Sequence, residues 1–302
     1  MINFSKSEKS ILNYFNIGQP VKFREEIFKI VKAGKPKCRY GEPKTDIYIL
    51  LENETSQKEI KISYKKSNAD FLENKIKAQR AEQLFGEDWQ SVIKQSVQQI
   101  QRKFLEKPLI YKSPLKKTGK GSITLGWKFE LMNKLSGELS GKIPLSYMQC
   151  IDVYSGNNLP KDKRDAEVEG EIIPDSGIAN YILLGNEFQS AEDVLSNMET
   201  IAEYVNSHPE IYFACKALNY RSFDDKWDGD RPLAVQVEWK ITDNKLTPVL
   251  CFDSPLTNNG NAVCEQLKKC LMQLQIKNTD EINEKNTVNH CIYNNKEKNE
   301  SY

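Results

Sequence analysis

The sequence predicts an α/β protein, with a mixed sheet flanked by helices in its first part and a second α+β half after it. Two observations carry this prediction. Residues 43–66 read PKTDIYILLENETSQKEIKISYKK, where two apolar runs flank a polar turn, as in a β-hairpin. Segments with the apolar spacing of helices surround that hairpin, and alternating, strand-like runs follow residue 122.

The composition is that of a globular protein that works outside a membrane. The chain has 302 residues, of which 39% are hydrophobic and 28% charged, enough for one large domain or two ordinary ones. No uncharged apolar stretch reaches about 18 residues, so we expect no membrane span. The first ten residues, MINFSKSEKS, lack the apolar region of a signal peptide, which favours a cytoplasmic location.

The charges are unevenly distributed along the chain. The totals of 43 Lys and Arg and 42 Asp and Glu almost cancel, but residues 1–122 hold an excess of basic residues and the remainder an excess of acidic ones. A basic first part suggests a polyanionic partner, although surfaces can also differ in charge without any functional reason.

The cysteines and histidines of the chain limit the kinds of metal site and catalytic mechanism that it can have. The seven cysteines are scattered without a CxxC pair, so we expect reduced thiols and no zinc site. The chain has only two histidines, and His290 lies in a polar tail, which leaves His208 for any catalytic role. This argues against a Ser-His-Asp triad and against paired-histidine hydrolases. Acid–base work must then fall mainly to carboxylates and lysines.

The remaining elements follow from apolar periodicity and from helix and turn signals. Helices are expected over residues 5–16, 21–32, 67–86, 88–104, 191–206 and 262–276. Strands are expected near 37–40, over the two arms of the hairpin, and at 123–132, 145–154, 181–184, 211–222, 232–241 and 249–255. We therefore divide the chain into a core over 1–122, an α+β half over 123–276, and a disordered polar tail over 277–302.

The pairing register of the hairpin decides which polar side chains meet. The face with Ile47 and Ile49 meets the face with Ile60 and Ile62 only if the numbers of paired residues sum to an odd value. A sum of 109 places Ser63 opposite Asp46, with Lys65 as a diagonal neighbour. A sum of 105 would bring Glu59 opposite Asp46, but it requires a two-residue turn at Glu52-Asn53, which lacks the favoured glycine. We therefore prefer the group Asp46, Ser63 and Lys65.

The order of these elements resembles the PD-(D/E)xK nuclease core, and within it the type II restriction endonucleases. The residues that carry the resemblance are P-x-x-D at 43–46, an apolar strand that ends in lysine at 65, and the polar Lys-Ser-Asn turn at 66–68. The resemblance implies a restriction-endonuclease-like fold and Mg²⁺-dependent hydrolysis of DNA phosphodiester bonds. It also implies that Asp46 holds the metal ion and that Lys65 orients the attacking water.

The sequence departs from this family at Ser63, where an acidic residue normally stands. A hydroxyl is a poor Mg²⁺ ligand, so another carboxylate must take its place. Glu73, in the predicted helix after the hairpin, is the first candidate, and Glu25, in the predicted helix before it, is the second. The alternative is that Asp46 and Lys65 form an ordinary surface ion pair, worth well under about 1 kcal/mol.

The candidate DNA contacts lie in two parts of the chain. The loop YKSPLKKTGKGS at 111–122 is not a P-loop, and it is either a linker or a contact to the DNA backbone. In the second half, KALNYRSFDDKWDGDRP at 216–232 gathers arginine and asparagine, the residues that read guanine and adenine edges. An ordinary strand and loop is the alternative. The predicted DNA-binding residues are Lys66, Asn68, Lys116, Lys117, Asn219, Arg221 and Arg231.

The leading hypothesis is a Mg²⁺-dependent, sequence-specific endonuclease for double-stranded DNA. We expect a homodimer, because two sites related by a two-fold axis can cut both strands. A nonspecific repair or mobile-element nuclease is the alternative with the same chemistry. A non-catalytic DNA-binding or defence-associated interaction protein is the alternative from a different class.

Overall fold

The computed structural model of the chain describes residues 4–39, 41–74 and 76–295. The helices are α1 (Phe4–Leu12), α2 (Ala78–Phe85), α3 (Trp89–Gln99), α4 (Gln101–Leu105), α5 (Tyr147–Ser155), α6 (Lys161–Arg164), α7 (Ala191–Asn197), α8 (Ile201–Ser207) and α9 (Gly260–Gln273), with 3-10 turns at Thr279–Glu281 and Asn289–Cys291. Within these described ranges, no helix combines the length and the apolar character needed to cross a membrane.

The strands, in chain order, form two curled mixed sheets and one short hairpin. They are β1 (Pro20–Phe23), β2 (Glu26–Gly34), β3 (Ile47–Glu52), β4 (Gln57–Lys65), β5 (Phe71–Glu73), β6 (Ile110–Tyr111), β7 (Ser122–Met132), β8 (Ser140–Ile143), β9 (Glu167–Val168), β10 (Glu171–Ile172), β11 (Tyr181–Leu184), β12 (Met198–Thr200), β13 (Ile211–Arg221), β14 (Lys226–Trp227), β15 (Val235–Thr242), β16 (Lys245–Cys251) and β17 (Ile292–Tyr293).

The chain folds into two compact units, and each is built from two separate stretches. Unit 1 contains residues 1–70 and 145–210, and unit 2 contains residues 71–144 and 211–302. The division expected from the sequence, with boundaries after residues 122 and 276, is different. The difference arises because strands that are distant in sequence pair with each other. β4 of the first stretch pairs with β11, and β7 pairs with β13.

Unit 1 is a six-stranded sheet in the order β1-β2-β3-β4-β11-β12. The first four strands form an antiparallel meander, β4 and β11 are parallel, and β12 returns antiparallel. The parallel pair needs a long crossover, which here contains all of residues 71–144 and then α5. The sheet is therefore mixed and has helices packed against it, as the sequence predicted.

The hairpin of β3 and β4 pairs in the predicted register. Ile47 lies opposite Ile62 and Ile49 lies opposite Ile60, which is the register with a sum of 109. Both strands present these isoleucines to one face, where they form the apolar core of the unit together with side chains of α1 and α7. The core-facing residues of the hairpin are almost fully buried, because helices cover this face: Ile47, Ile49, Leu51, Ile60, Ile62 and Tyr64.

The helix predicted over residues 21–32 is wrong, because this stretch forms the hairpin of β1 and β2. Its buried residues alternate, with Val21 and Phe23 on one strand and Phe28 and Ile30 on the other. Arg24 adopts a left-handed backbone conformation, with φ of 56°, at the two-residue turn. Over so short a run, the apolar positions fit both a helical and a strand period, and pairing with β3 decides in favour of the strand.

Two further predictions need correction. The helix expected over 67–86 begins only at Ala78, and β5 precedes it; Lys75 lies outside the described residues. The strand expected over 145–154 is helix α5, since Ser146 and Gln149 form a reciprocal capping box at its start. Of the strand expected near 37–40, an isolated bridge at Lys37 is described, and Tyr40 lies outside the described residues.

Unit 2 is a nine-stranded sheet whose longest pair is β7 with β13. The path β14-β13-β7-β15-β16 carries additional strands at its margins, and α9 packs against β15 and β7. The stretch 277–295, expected to be disordered, contributes β17, which pairs with β6. Ile282 and Cys291 are buried there, which gives this polar stretch its anchor, and residues 296–302 lie outside the described part.

Because Ile62 lies at the centre of the core of unit 1, its substitution tests how tightly that core is packed. Ile62 is fully buried between β3 and β11, whereas Ile27 on β2 is 69% exposed. Ile62→Ala should lower the free energy of unfolding by about 2–5 kcal/mol, because the cavity cannot collapse inside a paired sheet. Ile27→Ala, the matched control, should stay within about 0.5 kcal/mol. Urea titration followed by circular dichroism measures both, and equal losses would contradict this packing.

Candidate active site

Asp46 lies immediately before β3, and its carboxylate continues the hydrogen bonding between β3 and β4 by accepting from a backbone N–H of β4. The backbone N–H of Asp46 donates to the carbonyl of Ile62 at 2.8 Å. The backbone N–H of Tyr64 donates in turn to Oδ2 of Asp46 at 2.8 Å. A main-chain donor therefore holds the carboxylate, and the side-chain direction does not depend on a flexible partner.

Lys65 ends β4 on the neighbouring strand, and its ammonium faces the same carboxylate. Lys65 Nζ lies 3.9 Å from Asp46 Oδ2, and about a quarter of each side chain is exposed. Ser63 lies two residues earlier and is only 3% exposed, beside β11. Tyr48, on the same face, is 1% exposed, so this side of the hairpin is not a solvated surface. The three predicted catalytic residues thus meet at one end of the hairpin.

The structure adds Glu8, which sequence reasoning missed. Glu8 lies on α1, one turn before Ile11, which packs into the core of unit 1. Its spacing therefore points the carboxylate inwards, and Glu8 is 7% exposed. A charged residue on the apolar stripe of an amphipathic helix was the signal that could have identified it.

The charges around Glu8 and Asp46 influence each other. Burial raises the pKa of the Glu8 carboxyl, the Lys35 hydrogen bond lowers it, and the charge of Asp46 raises it further. Lys35 Nζ donates to Glu8 Oε2 at 2.5 Å. Burial alone would lower the pKa of Lys35, but that hydrogen bond and the charges of Glu8, Asp46 and Glu42 raise it. These couplings show that Glu8, Lys35 and Asp46 belong to one electrostatic cluster.

Burial also dominates at Asp46 itself. It raises the pKa of the Asp46 carboxyl, and the charge of Lys65 and the N–H of Tyr64 offset only part of that rise. Two opposing effects therefore act on the pKa of Asp46. Burial favours the neutral carboxyl, and the two nearby lysines favour the charged carboxylate.

A loop from the second stretch of unit 1 fixes the backbone just before Asp46. The carbonyl of Gly177 accepts the N–H groups of both Lys44 and Thr45, at 3.0 and 3.2 Å. A Cβ at Gly177 would lie 1.8 Å from the carbonyl oxygen of Lys163, so only glycine fits this close approach. The start of β3 is therefore positioned by chain that comes more than a hundred residues later.

The two glutamates proposed as substitute ligands lie on strands or turns and not on the helices expected for them. Glu25 is exposed in the turn between β1 and β2, at the far end of β2 from Tyr48, roughly 30 Å along the strand from the Asp46 end. Glu73 belongs to β5 of unit 2 and accepts from Arg80 at 2.8 Å. The helix predicted around Glu25 is a hairpin, which places Glu25 far from Asp46, and the helix predicted around Glu73 is a strand of unit 2.

The predicted DNA-binding residues lie in several surroundings. Arg221 pairs with Asp228 at 2.5 Å, and Asn219 accepts from Thr124 at 3.2 Å, so both are engaged within unit 2. Lys116 pairs with Glu138, whose pKa this lysine and Lys107 lower to about 2. Asn68 and Lys117 are exposed, whereas Lys66 and Arg231 are half-buried. Lys66 and Asn68 belong to unit 1, and the other five residues belong to unit 2.

The donor set at the hairpin end fits a small, hard cation in part. Mg²⁺ is typically held by one or two carboxylates together with water and phosphate oxygens. Asp46 and Glu8 are two carboxylates of the same electrostatic cluster, and Lys65 and Lys35 pair with them. Among the described residues, no group of three or more His, Cys, Asp or Glu side chains could hold a metal ion. An ion here would therefore need oxygens from its substrate.

Comparison with protein-family models, with curated proteins and with solved structures found no match to this chain.

The raised pKa of Asp46 leads to a stability test. Because the folded state binds this proton more tightly than the unfolded chain, the ionised Asp46 lowers stability at neutral pH. Asp46→Asn keeps an acceptor for Tyr64 N–H and should raise Tm by about 1–3 °C at pH 7.5.

The difference in Tm between Asp46→Asn and wild type should shrink as the pH falls towards about 4, where the unfolded aspartate also protonates. The other titrating groups are common to both proteins, so the comparison isolates the charge of Asp46 together with its effect on Glu8 and Lys35. Calorimetry in EDTA measures this difference. A lower Tm for Asp46→Asn at pH 7.5 would show that the charged pair with Lys65 outweighs burial.

Proposed function

We propose that the protein is a Mg²⁺-dependent endonuclease for double-stranded DNA, of the type II restriction class. The observation that carries this proposal is the pair of Asp46 and Lys65 at one end of the β3–β4 hairpin, with Glu8 close enough for the charge of Asp46 to act on it. These are two carboxylates and an ammonium group, the side chains that metal-assisted phosphodiester hydrolysis requires. Histidine chemistry contributes little, since His208 lies at the end of α8 and stacks on Tyr204.

The sheet of unit 1 supports the same proposal. It is antiparallel from β2 to β4, parallel from β4 to β11, and packed against α1 and α7. This agrees with the mixed sheet flanked by helices that the PD-(D/E)xK resemblance implies. Glu8 on α1 would take the role of the acid that Ser63 cannot fill, in place of Glu73 and Glu25.

Each side chain would have a distinct role. A bound Mg²⁺ would polarise the scissile phosphate and acidify the attacking water. Asp46 and Glu8 would hold it through their carboxylates, with Lys35 released from Glu8 in the process. Lys65 would orient the water and stabilise the charge that develops on the phosphate. Tyr64 N–H keeps Asp46 aimed at this point throughout.

The first test is cleavage of phage DNA by the purified full chain. We expect discrete fragments with Mg²⁺ and intact DNA with EDTA. Asp46→Asn should be inactive because the carboxylate ligand is lost, and Lys65→Met should lose at least about 10²-fold in rate. Lys58→Ala removes an exposed lysine from the same strand and should cleave as wild type does.

The outcome of that gel also separates the alternative functions. A smear would favour a nonspecific nuclease, and discrete fragments from an Asp46→Asn sample would place the active site elsewhere. Intact DNA under all conditions would contradict the proposal and favour a non-catalytic DNA-binding or interaction protein. The proposed homodimer would make both strands break together, so linear DNA should appear without accumulation of a nicked circle.

Glu8 has its own test. Glu8→Gln removes one metal-binding carboxylate while keeping a similar shape, so half-maximal cleavage should require at least about tenfold more Mg²⁺. Glu25→Gln and Glu73→Gln are matched controls and should keep the wild-type Mg²⁺ dependence. Cleavage rates over a Mg²⁺ titration measure all three. A wild-type profile for Glu8→Gln beside an inactive Glu73→Gln would return the role to Glu73.

A further inference from the structure

A buried carboxylate in unit 2 organises two lysines that the proposed active site does not use. Glu130 lies in the middle of β7, and only 2% of its side chain is exposed. Lys128 Nζ lies 2.6 Å from Glu130 Oε1, and Lys216 Nζ lies 2.9 Å from Glu130 Oε2. Each carboxylate oxygen therefore has an ammonium group within ion-pair distance, although Oε2 accepts no hydrogen bond from the described residues.

The sheet register places this group on one face. Lys216 of β13 lies directly opposite Lys128 of β7, and Ala214 lies opposite Glu130. Residues two apart on a strand share a face, so the two lysines and the glutamate form a compact triangle. Phe71 of β5 adds an aromatic ring, 42% exposed, whose centre lies 3.9 Å from Lys216 Nζ.

Burial explains why the lysines are held so firmly. Removing a carboxylate from water is strongly unfavourable unless opposite charges and hydrogen bonds compensate, so the fold itself requires both ammonium groups at this place. The lysine side chains stay 25% and 39% exposed. An ammonium has three donors, so its ion pair with Glu130 leaves donors on each lysine for another partner.

The net charge of the triangle is positive, since two ammonium groups face one carboxylate. This distinguishes it from the pairs Arg221–Asp228, Lys120–Asp280 and Lys268–Asp225, in which one cation meets one anion. The exposed trio of Lys107, Lys116 and Glu138 has the same count, but its carboxylate is 54% exposed. A buried carboxylate such as Glu130 fixes the positions of its ammonium partners before a ligand binds, and the exposed Glu138 does not.

We propose that Lys128 and Lys216, positioned by Glu130, form a contact of unit 2 with the nucleic-acid phosphate backbone. The inference deepens the proposed function, on which it rests, by naming a surface that binds the substrate. The neighbouring residues of this sheet face are buried, but the two lysines stay partly exposed with an exposed ring beside them, which suits a phosphate group. Phosphate contacts of this kind fix register and orientation without reading sequence.

The test measures DNA binding apart from cleavage. A labelled duplex of mixed sequence is titrated in EDTA at several salt concentrations between about 50 and 200 mM, and fluorescence anisotropy gives Kd. The main variant is Lys128→Gln/Glu130→Gln/Lys216→Gln, which leaves no unpaired buried charge. The matched control is Lys240→Gln/Glu265→Gln/Lys269→Gln, which makes the same charge change at exposed positions of unit 2.

We expect the main variant to bind at least about tenfold more weakly than wild type and its salt slope to fall by about 1.8, since each phosphate contact contributes roughly 0.9. The single variant Lys216→Gln, in which Lys128 still pairs Glu130, should lose about half of that slope. Lys128→Arg/Lys216→Arg should retain binding, because it keeps both positive charges. The control should keep the wild-type slope to within about 0.5.

Two results would overturn the inference. If Lys216→Gln and the main variant bind with the wild-type slope while wild type still cleaves DNA, this surface is not a contact and the proposed function stands. If wild type binds no DNA and cleaves none, both proposals fall. Thermal unfolding of each variant shows whether it is folded, and the single variant keeps the test valid if the triple one is not.

Discussion

The register of β3 against β4 is the constraint on which the rest of unit 1 depends. Pairing Ile47 with Ile62 sends both isoleucine rows into the core, and a slip by one residue would turn one of the two rows outwards. The same register brings Asp46 beside the N–H of Tyr64 and the ammonium of Lys65. Apolar packing thus sets the geometry of a polar site that contributes little to stability by itself.

The buried carboxylates at the polar end of this hairpin lower the stability of the fold. Burial raises the pKa of both Asp46 and Glu8, so the charged forms are disfavoured where they lie. Lys35 and Lys65 offset this only in part. Neutral side chains of similar shape would fit the same positions with less desolvation. A cluster of opposing charges at a partly open strand end is typical of functional sites, although structural networks can also shift pKa values.

The sequence predicted the structure correctly where an apolar pattern fitted only one arrangement. The hairpin register followed from two isoleucine rows and the absence of a glycine at the shorter turn, and α9 followed from its apolar stripe. It was insufficient where partners are distant in the chain. Residues 21–32 have apolar positions that suit a helix or two strands, and only the pairing with β3 decides between them.

The candidate site shows the same limit. Asp46, Ser63 and Lys65 came from local pairing, but the second carboxylate depends on which helix packs over the strand end. Glu73 was favoured because it is near in sequence, whereas Glu8 arrives through the packing of α1. The long crossover between β4 and β11 also hid the division into units, because no composition change marks residues 70 and 145.

Anomalous scattering from Mn²⁺ tests the central claim most directly. Crystals of the full chain soaked in Mn²⁺, with a short DNA duplex bound, would be measured at the manganese absorption edge. The account predicts an anomalous peak about 2.0–2.3 Å from carboxylate oxygens of both Asp46 and Glu8, with Lys65 Nζ nearby. A peak bound by other residues, or no peak at saturating Mn²⁺, would contradict it.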